Sequence, residues 1–319
     1  MIKYPEDYNP IREYWEKIES GEITVCDKTY RTYKKLIYDM DHPGEYFYSA
    51  HRGNHIIEFF ENYCHHSKGK SGGKRVVLEL WEKAMLAAIF GFVDINGLRK
   101  YREAILIVGK KNGKSLLASG VGLYLLVGDG EPGPEVYAVA TKKDQSKIIW
   151  LESTRMVKKS PALLKRVKPL VAELSSEDYN SGTFKPLASD SDTLDGLNVQ
   201  GALMDEIHQW KNGRPLYDII ADGVTAREQP LILITTTAGT VREGIKRAEF
   251  YAAAREGITL SKMMTVDKYD FETATVEIEG KKTKPSRVEH DGITYRILRT
   301  YIPENSMRME LYLQEEENG

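Results

Sequence analysis

Four short runs of continuous apolar residues constrain this chain more than any other feature. They are Ala104-Ile-Leu-Ile-Val108, Glu135-Val-Tyr-Ala-Val-Ala140, Gln200-Gly-Ala-Leu-Met204 and Pro230-Leu-Ile-Leu-Ile-Thr235. Runs of this length without polar alternation, the first rich in β-branched residues, suit strands buried on both faces, as in a parallel sheet. Helix-like segments lie between them, at 115–127, 144–159 and 216–224. Strand and helix alternation of this kind predicts an α/β fold with a mainly parallel sheet flanked by helices.

The flanks differ from this middle. Residues 1–67 are polar and rich in Tyr and His, with helical periodicity around 11–18 and 54–63. The loop Ser67-Lys-Gly-Lys-Ser-Gly-Gly-Lys-Arg75 breaks that pattern. After Ser261, Thr273-Ala-Thr-Val-Glu-Ile-Glu279 and Ile293-Thr-Tyr-Arg-Ile-Leu298 predict short strands joined by polar turns. The expected organisation is an N-terminal helical region with a basic loop (1–75), a central α/β domain (76–260) and a small strand-rich tail (261–319).

The strongest local motif is Val108-Gly-Lys-Lys-Asn-Gly-Lys-Ser115, with a buried strand running in and an apolar helix running out. That is the context of a Walker A loop, in which backbone N–H groups and a helix N-terminus cradle phosphates. Gly109, Lys111, Asn112 and Gly113 would line the anion, Lys114 would reach the β and γ phosphates of ATP, and Ser115 would ligate Mg²⁺. Val108 stands where the pattern wants its first glycine, and Gly109 comes one place late. The competing reading is a lysine-rich surface turn before a helix. Gly69-Lys70-Ser71 repeats the tripeptide without a strand before it, and reads as a flexible basic loop that either touches nucleic-acid phosphate or is merely solvated. Cys64-His65-His66 lacks a second ligand pair at zinc spacing.

Gly201-Ala-Leu-Met-Asp205-Glu206 has Walker B form, an apolar strand ending in two carboxylates. Asp205 would hold Mg²⁺ and Glu206 would act as general base on water. Two solvated acids at a strand end is the alternative. Pro230–Thr235 continues into Thr236, Thr237 and Gly239, hydroxyls and a glycine that could sense the γ-phosphate.

Together these segments resemble the ATPase part of tailed-phage terminase large subunits, in the HK97-like branch. The resemblance covers about residues 45–257. It rests on the two Walker segments, on Asp195-Gly-Leu-Asn198, on Leu231–Gly239 and on Leu78–Gly91 followed by Tyr101-Arg-Glu-Ala104. It implies that Trp81 and Glu82 stand in the adenine-side motif, where the family often has glutamine; a carboxylate cannot donate as an amide does. It also implies that Thr236, Thr237 and Gly239 form a coupling motif. Lys110 stands where some relatives carry an arginine, keeping the charge without the bidentate fork. Arg214 and Arg227 are the arginine-finger candidates, Arg102 a weaker one; surface or packing arginines are the alternative for each.

The resemblance further implies Mg²⁺-dependent ATP hydrolysis that drives double-stranded DNA into a capsid. A small terminase subunit, a portal ring and a homo-oligomeric ring of the chain itself would be the partners. The family's nuclease domain would need roughly a hundred further residues or more; Asp267, Asp270 and Glu272 are expected to be solvated acids, and nuclease activity is not expected. The alternatives are a helicase-like DNA-dependent ATPase and a truncated remnant that only binds.

Bulk composition excludes little. With 45 basic and 47 acidic residues the net charge is −2, so DNA contact must come from a local patch. Two cysteines fit a reducing compartment. No export signal follows Met1-Ile-Lys-Tyr-Pro-Glu-Asp, and no apolar run is long enough to span a membrane. A cytoplasmic location is expected.

Overall fold

The structure, a computed structural model, describes residues 1–109, 111–189, 196–207, 210 and 213–237, and the strand segments 262–267, 276–278, 281–283, 287–290, 293–301 and 308–315. Two compact units divide it, Met1–Ile245 and Lys246–Gly319.

The first unit opens with helices. α1 (Pro10–Glu19) is started by Asn9, whose side chain accepts from the N–H groups of Ile11 and Arg12, with Pro10 at the first helical position. α2 (Asp27–Asp41) was not among the predicted helices. It buries only Tyr33 and Leu36, so its apolar stripe is too thin to stand out in the sequence. β1 (Phe47–Tyr48), α3 (Ala50–Tyr63), α4 (Leu80–Gly91) and β2 (Phe92–Val93) follow, with β1 and β2 paired antiparallel.

The sheet region contains β3 (Glu103–Ile107), α5 (Lys114–Val127), β4 (Glu135–Ala140), α6 (Lys143–Lys159), α7 (Pro161–Leu164), β5 (Lys168–Pro169), β6 (Leu174–Ser176), α8 (Asp178–Ser181), β7 (Gly182–Ala188), β8 (Val199–Asp205), α9 (Arg214–Gly223) and β9 (Leu231–Thr236). Among the described residues the sheet runs β3-β9-β8-β4-β7-β6-β5. β3, β9, β8, β4 and β7 are parallel; β6 and β5 continue antiparallel. The four predicted strands are therefore present and adjacent. Because they are parallel, their carboxyl ends open on one edge, where ligands bind in open α/β sheets.

Burial follows the sequence runs: β8 and β9 are buried along their whole length. α5 is nearly as enclosed, because it is packed on both sides. A Cβ at Gly120 would fall 2.2 Å from the Phe60 ring of α3, and one at Gly122 would fall 2.6 Å from Leu203 of β8. Buried residues of α1, α2, α3 and α4 thus share one core with the sheet region.

The amino ends of the strands are tied by a buried polar clasp. Arg99 Nη1 donates to both carboxylate oxygens of Asp129, at 2.9 and 3.0 Å, and Nη2 donates to the Gln229 carbonyl. The guanidinium lies 4.8 Å from the Phe90 ring centre. Gln200 Nε2 donates to the same carbonyl at 3.2 Å, and Gln229 Nε2 to Glu131 at 2.6 Å. Nothing in the sequence singled out Arg99 or Asp129.

In the second unit, β10 (Lys262–Asp267), β11 (Val276–Ile278), β12 (Lys281–Thr283), β13 (Arg287–His290), β14 (Ile293–Tyr301) and β15 (Arg308–Glu315) form an antiparallel sheet, β10-β15-β14-β13, and a hairpin, β11-β12. β11 and β14 coincide with the two predicted strand segments. Asp267 closes β10 opposite Arg308; Asp270 and Glu272 lie outside the described residues.

Candidate active site

β3 hands the chain to the phosphate loop one residue later than the usual pattern. The Val108 N–H still donates to the Thr236 carbonyl at 3.1 Å, extending the β3–β9 pairing, so position 108 needs no glycine and the loop begins at Gly109. A Cβ at Gly109 would lie 3.1 Å from Asn112 Nδ2, which itself donates to the Gly109 carbonyl at 3.3 Å. Lys111 (φ 69°) and Gly113 (φ 72°) are left-handed, and Gly113 caps α5. Such backbone is natural for glycine and strained for lysine, a kind of strain that clusters at functional sites. The first turn of α5 thus faces the loop with its positive end.

Lys114, the first residue of α5, is almost buried, and its Nζ lies 2.8 Å from Glu206 Oε1. Ser115 follows, half-buried. At the end of β8, Asp205 Oδ1 accepts from Thr235 Oγ1 at 2.8 Å and from the Glu206 N–H at 3.0 Å. Burial raises the pKa of Asp205; Thr235's hydrogen bond opposes that rise and the neighbouring Glu206 charge adds to it. Glu206 has φ 49°, left-handed in a non-glycine residue, and its N–H also donates to the Thr235 carbonyl at 2.8 Å. Its Oε2 accepts from Thr237, at 3.3 Å from the N–H and 3.2 Å from the hydroxyl. Trp210, buried, donates its indole N–H to the Asp205 carbonyl at 3.0 Å and fixes the turn.

The structure therefore brings Lys114, Asp205, Glu206 and Thr237 together from β8, β9 and α5. Thr236 faces elsewhere, its hydroxyl donating to the Thr237 carbonyl at 3.3 Å. Thr235, which no sequence motif marks as a site residue, takes the contact with Asp205. Parallel register pairs Asp205 with Thr235, and strand periodicity then puts Thr235 and Thr237 on one face. That register was the missing signal.

Glu82 sits beside the loop, its Oε1 3.7 Å from where a Gly113 Cβ would be, but its Oε2 accepts the Glu79 N–H at 2.8 Å in a capping box. Burial raises its pKa. Trp81 is half-buried against the core. Arg214 begins α9 on the carboxyl-end side, half-exposed and paired with Asp218 at 2.8 Å. Arg227 lies before β9, at the opposite end of the sheet. Its guanidinium donates to the Pro132 and Gly133 carbonyls at 2.7 and 2.6 Å and to Asn198 Oδ1 at 2.8 Å. Those three acceptors make it a clip between loops within this chain, and it lies away from the Lys114–Glu206 pair. Arg102 is exposed just before β3, also at the amino ends. Lys110, Asp195 and Gly239 lie outside the described residues.

The family described as "Terminase large subunit, ATPase domain" matches residues 80–255. This chain belongs to that family. The terminase large subunit of Enterobacteria phage HK97 is 27% identical over 190 residues, 58% of this chain and 36% of that protein. The chain thus spans well under half of the HK97 terminase. The crystal structure of the HK97 large terminase has a TM-score of 0.54 at 24% identity, covering 65% of this chain and 42% of that one, a likeness of fold. The large terminase ATPase domain of Thermus phage P74-26 is 18% identical, covering 44% of this chain and 61% of that one, with a TM-score of 0.37.

An ATPase domain of this family binds ATP, and the donor set suits the nucleotide's usual metal. A serine hydroxyl at the start of α5 and a carboxylate at the end of β8 are hard oxygen ligands, the kind Mg²⁺ takes. Gly109, Lys111, Asn112 and Gly113 are all exposed, so the loop's backbone is open to phosphate oxygens. Among the described residues no helix is long and apolar enough to cross a membrane.

Proposed function

We propose that this terminase ATPase domain hydrolyses ATP with Mg²⁺ to drive double-stranded DNA into a capsid. The observation that carries the reading is the convergence of Lys114, Asp205, Glu206 and Thr237 at the mouth of a phosphate loop. Gly109, Lys111, Asn112 and Gly113 would receive the phosphates through backbone N–H groups. Lys114 exchanges its Glu206 partner for phosphate oxygens, which leaves the Glu206 carboxylate available as a base. Glu206 then orients water for in-line attack and accepts its proton, while Thr237 steadies Oε2. Ser115 and Asp205 would hold Mg²⁺, which would supply positive charge against the phosphates. Arg214, exposed on the site's side, is the better-placed arginine finger for a neighbouring subunit in a ring.

Residues 76–260 carry the ATPase, 1–75 brace it, and 261–319 begin or retain part of a nuclease domain without nuclease activity of their own. The partners are duplex DNA, a small terminase subunit, a portal ring and further copies of the chain, in the host cytoplasm. The deciding experiment compares ATP turnover of wild type and Glu206→Gln, with and without Mg²⁺ and linear duplex DNA. Mg²⁺-dependent turnover that DNA stimulates and Glu206→Gln abolishes is the expected result. Equal, DNA-insensitive turnover in both proteins would overturn the assignment.

A further inference from the structure

The connection between α3 and α4 is a closed hairpin rather than the flexible loop its composition predicts. His65 and Arg75 form an antiparallel bridge; the His66 N–H donates to the Lys74 carbonyl at 2.9 Å, the Gly73 N–H to the His66 carbonyl at 2.8 Å, and the Val76 N–H to the Cys64 carbonyl at 3.0 Å. Cys64, Val76 and Leu78 anchor its base in the core, and the Leu78 N–H donates to buried Glu61 at 3.1 Å. On this stem Lys68, Lys70, Lys74 and Arg75 are all exposed, and between Glu61 and Glu79 the chain carries no acidic residue. Among the described residues none of these four cations pairs with a carboxylate, whereas Lys17, Lys35, Lys83, Arg99 and Arg166 all do. The hairpin leads into α4, whose Glu82 sits beside the phosphate loop, its Oε1 3.7 Å from where a Gly113 Cβ would be.

We propose that the 65–75 hairpin grips the phosphate backbone of duplex DNA. The chain is near neutral overall, so a concentrated basic array that pairs with no carboxylate among the described residues is a local anion surface rather than a consequence of bulk charge. Residues 67–75 are only Ser, Lys, Gly and Arg. With no apolar side chain to bury, the tip lacks what an interfacial membrane anchor requires. With no aromatic, it lacks the stacking platform of single-strand binders. Lysines on a rigid stem fit the regular charge of a duplex and read no sequence. The choice of partner rests on the motor reading; the site itself does not.

The test is the quadruple variant Lys68→Ala, Lys70→Ala, Lys74→Ala, Arg75→Ala in the full chain, with its melting temperature checked. Equilibrium binding to a random-sequence duplex is measured across a salt series, beside binding to phosphatidylserine vesicles and DNA-free ATP turnover. The variant should bind duplex at least roughly tenfold more weakly, with a salt slope shallower by up to about 3.6, since each phosphate contact contributes about 0.9. Its DNA-free turnover should equal that of wild type. Unchanged duplex affinity and slope would overturn the proposal, as would a loss confined to vesicles. Wild type that hydrolyses ATP but binds no duplex would overturn both this proposal and the motor reading. Inactive wild type whose duplex binding still depends on the hairpin would overturn only the catalytic assignment.

Discussion

At the amino ends of the strands Arg99 and Asp129 meet with 2% of each side chain exposed; at the carboxyl ends Lys114 and Glu206 meet with 8% and 19% exposed. Both are ion pairs between distant segments, and both have a threonine or carbonyl beside them. The first is sealed, with the Gln229 carbonyl and the Phe90 ring completing the guanidinium's surroundings. The second is built on strained backbone at Glu206 and opens toward the phosphate loop. A sealed pair can only hold the sheet. An open pair can trade one partner for a ligand, and the strain beneath it is tolerated because the surrounding strands are buried.

The comparison breaks most sharply if chemistry and stability fail to separate. Glu206→Gln should lower ATP turnover by about 10²–10⁴-fold, the range of general-base catalysis, with an unchanged circular dichroism spectrum. Arg99→Ala should do the converse. It leaves the Asp129 carboxylate buried and unpaired, costing about 3–5 kcal/mol in urea unfolding, while turnover per folded molecule stays near wild type. Thr237→Val removes one hydroxyl donor from Glu206, about 1 kcal/mol, so turnover should fall roughly fivefold at unchanged melting temperature. The subtlest contrast is one of sign, read by melting in EDTA at neutral pH. Burial raises the pKa of Asp205, so the stability linked to it is full below the ordinary carboxylate range and is lost as pH rises through the folded value. Above that range burial disfavours the ionised Asp205 carboxylate in the folded state. Asp205→Asn should therefore melt at or above wild type, whereas Asp129→Asn should melt lower because Arg99 loses its counter-charge.

The two ends also differ in how far they could be read from sequence. Asp205 and Glu206 end an apolar run, and Lys114 follows one, so strand boundaries alone pointed to the site. Thr235 was missed because its role depends on which strands are neighbours, and the β8–β9 register is a tertiary fact. The helices at 115–127, 144–159 and 216–224 emerged within two residues of their expected starts, at Lys114, Lys143 and Arg214. The antiparallel extension by β5 and β6 left no trace, since two- and three-residue strands carry too little periodicity. Arg99 lies at an isolated bridge to Val93 and Asp129 in a bend after α5, 30 residues apart, and a buried pair between such segments has no local pattern at all.

The seat of Phe60 on Gly120 has a consequence for modularity. The family segment begins at residue 80, yet the helix that carries Lys114 is shaped to receive a ring from residue 60. A recombination junction placed at the family boundary would part that ring from its seat and bare an apolar flank of α5. Exchange between relatives has to carry α3 along with the nucleotide site, so the inherited cassette is longer than the motif-bearing segment suggests.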